Sequence, residues 1–141
     1  MYTQRILLHG EDDDGHALLL RINLKEVGVN NEIIRLKDGE EVIDYITKNS
    51  LVEKKKKFML LMDINMPRLN GKEVLKKLKK HPRHRNIPVI IISTCNDPDI
   101  IDECYHCGCE KYFTKPVNYE HLKRTIETEM YTGIRNNKIH I

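Results

Sequence analysis

The sequence predicts an α/β fold, a five-stranded parallel sheet with helices on both faces. Two observations carry that expectation. Phe58-Met59-Leu60-Leu61-Met62 and Val89-Ile90-Ile91-Ile92 are short, unbroken apolar runs bounded by turn residues, the pattern of strands buried on both faces. Around them, three weaker strand-like segments alternate with amphipathic segments of helical period, which implies β-α units joined by crossover helices. Right-handed crossovers put helices on both sides of such a sheet once strand order reverses.

In chain order, Arg5-Ile6-Leu7-Leu8-His9-Gly10 is the first strand, and it ends in the acids Glu11, Asp12, Asp13 and Asp14. After Gly15 the period changes: Ala17, Leu20, Leu24 and Val27 share one helical face, widened by Leu19 and Ile22, until Gly28 stops the helix. Glu32 to Leu36 is a second strand. Asp38-Gly39 introduces a helix bearing Val42, Ile43, Tyr45 and Ile46, and the polar stretch from Asn49 to Lys57 reads as a long surface connection. The central strand follows, closing on Asp63.

Beyond Pro67, the segment from Gly71 to His81 is an amphipathic helix with a basic outer face, ended by Pro82. The second apolar strand finishes in the hydroxyls Ser93 and Thr94. Asp97-Pro98 is a helix cap with proline in the first position, and that helix runs to Gly108. Cys109 to Phe113 forms the fifth strand, leading into Thr114-Lys115-Pro116, and Leu122, Ile126 and Met130 mark a last helix.

At 141 residues the chain is expected to be a single domain over 1–141, with a core over about 5–130 and a tail over 131–141. With 40% hydrophobic and 32% charged residues it reads as an ordinary folded protein. No apolar run approaches the roughly 20 residues that span a bilayer, and Met1-Tyr2-Thr3-Gln4-Arg5 leads into a strand rather than a signal peptide, so a cytoplasmic location without membrane contact is expected. The net charge of +3 comes mainly from Lys54 to Lys57 and Lys76 to Arg85. No base-reading motif accompanies those runs, so they read as solvated faces and no nucleic-acid partner is expected. Cys104, Cys107 and Cys109 surround His106 but lack a second ligand pair at finger spacing, and read as small buried residues.

In a parallel sheet the ends of successive strands share one edge, where ligands bind. That edge collects Glu11 and Asp12, Asp63, Ser93 and Lys115. Clustered carboxylates stay ionised only with a compensating cation. Mg²⁺ suits them, being hard and commonly held by carboxylates, waters and a phosphate. With a lysine and a hydroxyl added, the parts suit phosphoryl transfer, where catalysis is mostly positioning and charge neutralisation.

Asp63-Ile64-Asn65-Met66-Pro67 with Gly71, the acids after the first strand, Pro88 leading to Ser93, and Tyr112-Phe113-Thr114-Lys115-Pro116 together resemble the receiver domain of two-component response regulators. The similarity covers about residues 5–130, and Ser93 follows Asp63 by 30 positions while Lys115 follows Ser93 by 22. The resemblance implies the flavodoxin-like (βα)₅ receiver fold. It implies that Asp63 accepts a phosphoryl group from a sensor histidine kinase or phosphotransfer protein. Asp12 and Asp63, the backbone carbonyl of Asn65, and Glu11 through water would hold Mg²⁺. Lys115 would pair with the phosphoryl group, before a peptide bond to Pro116 that is commonly cis in this family. Ser93 would bond a phosphoryl oxygen, and Tyr112 would swing inward as it does so. The long connection before the central strand and the segment from Lys80 to Pro88 resemble stand-alone single-domain regulators of phytochrome-type sensor kinases. Their partners meet the first helix on the kinase side, and the fourth helix, fifth strand and fifth helix for output or dimerisation, so the chain is expected to be a monomer or a phosphorylation-linked homodimer.

His9-Gly10 stands where the family has an apolar strand, which leaves Asp12 and Asp13 both open as the direct metal ligand, and Thr94 competes with Ser93. Two other functions remain in view. A magnesium-dependent phosphohydrolase would use the same aspartate but needs an acid two positions later, where Asn65 stands. A degenerate receiver would only bind protein, though the full set of acids, hydroxyl and lysine argues otherwise.

Overall fold

The computed structural model describes residues 5–52 and 57–129. Its elements are β1 (Ile6–Gly10), α1 (Asp14–Glu26), β2 (Ile33–Leu36), α2 (Gly39–Val52), β3 (Phe58–Met62), α3 (Gly71–Lys80), β4 (Val89–Ser93), α4 (Pro98–His106), β5 (Lys111–Thr114) and α5 (Tyr119–Glu129). The strands form one parallel sheet in the order β2-β1-β3-β4-β5. Strand order reverses beside β1, so the crevice between the ends of β1 and β3 is the topological switch point.

Alternation along the strands builds two cores. Leu8, Leu60, Met62 and Ile91 face α2, α3 and α4 through Val42, Ile46, Val74, Leu75, Leu78 and Cys104. Leu7, Met59, Leu61, Ile90 and Ile92 face α1 and α5 through Leu20, Leu24, Leu122 and Ile126. This is the period of two that a pleated strand imposes, and it explains why the central strands are apolar at every position.

The helix ends follow their capping chemistry. Asp13 caps α1, Asn70 and Glu73 form a reciprocal capping box on α3, and Asp97 caps α4 ahead of Pro98. Helix α1 buries a narrower stripe than its composition suggests. Ala17, Leu20 and Leu24 are inside, whereas Leu18, Leu19 and Ile22 are exposed. Two boundaries also move. α2 continues to Val52, since no glycine or proline interrupts it and its polar residues lie on a helix rather than a loop. The connection before β3 is therefore shorter than the sequence implies. Cys109 lies outside β5 because its N–H closes the end of α4 on the Cys104 carbonyl at 3.1 Å. Lys54 to Lys56, Met130 and the tail over 131–141 lie outside the described residues.

Candidate functional site

Strand register assembles the site. Gly10 pairs with Met62, and Asp63 N donates to the Gly10 carbonyl at 3.0 Å, so Glu11 and Asp63 leave the sheet side by side. Ser93 pairs with Thr114, and Lys115 N donates to the Ser93 carbonyl at 2.8 Å, which brings Lys115 to the same edge. The Lys115 ammonium then reaches across the crevice, donating to Glu11 Oε1 at 2.9 Å and Asp63 Oδ2 at 3.1 Å. Glu11 is 2% exposed and the Lys115 side chain 16%, so the bridge lies in a poorly solvated place. Burial alone would lower the lysine's pKa, but the hydrogen bonds to Glu11 and Asp63 outweigh it and the net direction is up. Lys115 is therefore an ammonium, and it is the counter-charge placed between two adjacent acidic side chains.

Backbone geometry fixes the acids. Asp63 Oδ1 accepts from Asn65 N at 3.0 Å, and Glu11 Oε2 accepts from Asp13 N at 3.3 Å. Arg35 Nε donates to the Glu11 carbonyl at 2.8 Å while its Nη1 bonds Asp14 Oδ1 at 2.8 Å, tying the start of α1 to β2. Gly71 lets α3 begin against this loop: a Cβ there would lie 2.7 Å from both the Asp63 carbonyl oxygen and Ile64 Cα. The Lys115–Pro116 peptide bond is cis.

The structure brings Glu11, Asp63 and Lys115 into direct contact, but not the remaining candidates. Asp12 is exposed and its carboxylate makes no hydrogen bond or ion pair among the described residues. Asp13 is committed elsewhere: its Oδ1 accepts from His16 N at 2.8 Å, which holds its carboxyl below the usual range. Among the described residues no three acidic, histidine or cysteine side chains are gathered closely enough to hold a metal. Lys115 bridges Glu11 and Asp63, and the Asp12 carboxylate stands outside that contact.

Ser93 is fully buried, and its Oγ accepts from Cys95 N at 3.2 Å, whereas Thr94 is exposed. Tyr112 is 8% exposed, its phenol donating to the Cys95 carbonyl at 2.6 Å. Burial raises the phenol's pKa, so it remains a donor, and the partner that holds it in is the backbone of the β4–α4 loop.

Two histidines complete the site, and neither belongs to a motif. His16 Nδ1 lies 3.1 Å from Lys115 Nζ. Recognising Asp13 as the cap of α1 places His16 in the first helical turn, the one sequence signal that could have found it. His9 is buried in β1 and its pKa falls to about 3, through burial first and then the Lys115 and Arg35 cations, so it is neutral. Both line a cavity of about 350 Å³ beside Lys115 whose other walls include Leu19, Leu20 and Val117. The cysteines are free thiols. Burial pushes the Cys109 thiol up to about 12. No described helix is long and apolar enough to cross a membrane.

Comparison with known proteins agrees with this fold. The family model of the response regulator receiver domain matches residues 8–127. A probable methanogenesis regulatory protein, FilR2 of Methanothrix harundinacea, is 33% identical over 122 residues, covering 86% of this chain and 79% of that protein. The phosphorylated cyanobacterial phytochrome response regulator RcpA superposes with a TM-score of 0.74 at 25% identity, covering 92% of this chain and 93% of its own. The Mn²⁺-bound response regulator Rcp1 superposes with a TM-score of 0.70 at 26% identity, covering 90% and 92% of the two chains. With its five parallel strands and an acid–lysine bridge at the switch point, the chain belongs to the response regulator receiver domain family.

Proposed function

We propose that the chain is a receiver that accepts a phosphoryl group on Asp63 from the phosphohistidine of a sensor kinase or phosphotransfer protein. The observation that carries this is the Lys115 ammonium held between Glu11 Oε1 and Asp63 Oδ2. An Asp63 oxygen attacks phosphorus, the P–N bond breaks, and the imidazole departs with its electron pair, leaving an acyl phosphate. Asn65 N keeps Oδ1 oriented while Lys115 meets the charge on the transferring oxygens.

The donor set fits Mg²⁺, being carboxylates and a carbonyl, with Asp12 unengaged among the described residues and Asp13 occupied as a cap. Asp12, Asp63 and the Asn65 carbonyl would hold the ion, with Glu11 behind them through water. Its chemistry there is to neutralise charge on the transferring oxygens. Relatives support the choice of a divalent cation, since Rcp1 has been crystallised with Mn²⁺.

After transfer, the Ser93 hydroxyl turns from Cys95 N to a phosphoryl oxygen. That shifts the loop whose Cys95 carbonyl holds the Tyr112 phenol, so the ring moves with it and the surface of α4, β5 and α5 reports the event. The output is contact with a protein partner in the cytoplasm, by a monomer or a phosphorylation-linked dimer, with neither nucleic acid nor membrane. The likeness to RcpA favours a phytochrome-type kinase as donor. Hydrolase chemistry lacks its general acid, because Asn65 occupies that position.

Acetyl phosphate with Mg²⁺ followed by intact-mass measurement tests this. One phosphoryl increment is expected, absent in Asp63→Asn; an increment that survives that substitution refutes the assignment.

A further inference from the structure

An ammonium has three N–H donors and no acceptor. Lys115 Nζ has three acceptors around it: Glu11 Oε1 at 2.9 Å, Asp63 Oδ2 at 3.1 Å and His16 Nδ1 at 3.1 Å. Since Lys115 can only donate, Nδ1 of His16 accepts and the imidazole proton sits on Nε2. The ring is placed there by the first turn of α1, where His16 N is fixed on the Asp13 cap.

The three acceptors are unequal. Glu11 and Asp63 are buried carboxylates that hold an ammonium by charge as well as by hydrogen bonding. The His16 side chain is 48% exposed, its Nδ1 stands 3.9 Å from Glu11 Oε1 besides its contact with Lys115, and it can turn to water instead. An additional anionic acceptor arriving at Lys115 therefore displaces His16 before either acid.

We propose that His16 is a positioning residue for phosphoryl transfer: its Nδ1 occupies the third N–H of Lys115 in the resting protein and yields it to an oxygen of the incoming phosphoryl group. This rests on Asp63 being the phosphoacceptor. The bonds made and broken at phosphorus are unchanged, and His16 contributes only the exchange of one hydrogen bond. The released ring lies one helical turn from exposed Leu19, with which it lines the cavity beside Lys115, so the exchange also alters the surface of α1.

The test compares labelling rates of the full chain by acetyl phosphate and Mg²⁺, read by intact mass, for wild type, His16→Leu and His16→Asn. His16→Leu has no resting bond to break and labels about tenfold faster, the equivalent of one hydrogen bond to a charged group. His16→Asn, whose Oδ1 stands where the imidazole Nδ1 stood, returns the rate toward wild type. Equal rates in all three, or Asn behaving as Leu, overturn the proposal. An unlabelled wild type refutes the phosphoacceptor reading itself, which separates the two failures. Imidazole ¹⁵N spectra of the wild type give an independent readout: beryllofluoride with Mg²⁺ shifts the His16 Nδ1 signal out of its hydrogen-bonded position, and an unmoved signal overturns the proposal.

Discussion

Lys115 Nζ lies 3.1 Å from Asp63 Oδ2, and the same ammonium is what permits Glu11 to remain buried beside it. Lys115→Met removes the only cation that bonds these acids among the described residues. Breaking a buried pair costs about 3–5 kcal/mol, and the partial exposure here reduces that to about 2 kcal/mol. Millimolar Mg²⁺ restores part of the loss by supplying the missing charge. Urea unfolding with and without Mg²⁺ measures both effects, and an unchanged midpoint in the variant contradicts the structural role assigned to the bridge.

Asp12 and Asp13 separate by function. Asp13→Ala loses a helix cap and about 1 kcal/mol of stability, with Mg²⁺ affinity retained. Asp12→Ala keeps stability and loses Mg²⁺ affinity. Titration calorimetry together with urea unfolding distinguishes them, and the reverse pattern would exchange their roles.

The residues that were legible in the sequence are those whose chemistry and position coincide. Asp63 ends an apolar strand, and Ser93 and Lys115 follow strands at an edge, so their neighbourhood follows from topology. His16 was not legible, because its contact with Lys115 depends on the rotation of α1, which the Asp13 cap sets and no spacing reveals. For Tyr112 the family resemblance speaks only of a moving ring, whereas its hydrogen bond to Cys95 depends on the path of a loop. His9 and Gly10 are also accommodated in tertiary terms: both pair regularly with β3, and His9 enters the buried strand as a neutral ring.

Gly71 tests the geometry of the acceptor loop. It lies in the first turn of α3, where alanine would ordinarily stabilise a helix by up to about 1 kcal/mol. Its Cβ would meet backbone at 2.7 Å on the Asp63–Ile64 segment, so that segment must shift. Gly71→Ala is expected to destabilise by about 1–3 kcal/mol and to slow labelling of Asp63. A variant more stable than wild type would show that the contact is not as close as described.

His9 gives the fold an acid limit. Its folded pKa of about 3 lies far below the ordinary 6.5, because burial and the Lys115 and Arg35 cations oppose its charge. Between those values the unfolded chain binds a proton that the folded chain refuses, so stability falls as pH drops from 6.5 toward 3. By about pH 5 this amounts to about 2 kcal/mol, and near neutrality it vanishes. His9→Val removes the titration and keeps a strand former in β1. The stability difference between the two proteins, from urea unfolding across this range, therefore widens by about 2 kcal/mol in favour of the variant as the pH falls to about 5. The carboxylates are common to both proteins and cancel in that difference. Parallel pH profiles would mean that His9 takes up its proton in the folded state, which is incompatible with its burial and with the opposing charges of Lys115 and Arg35.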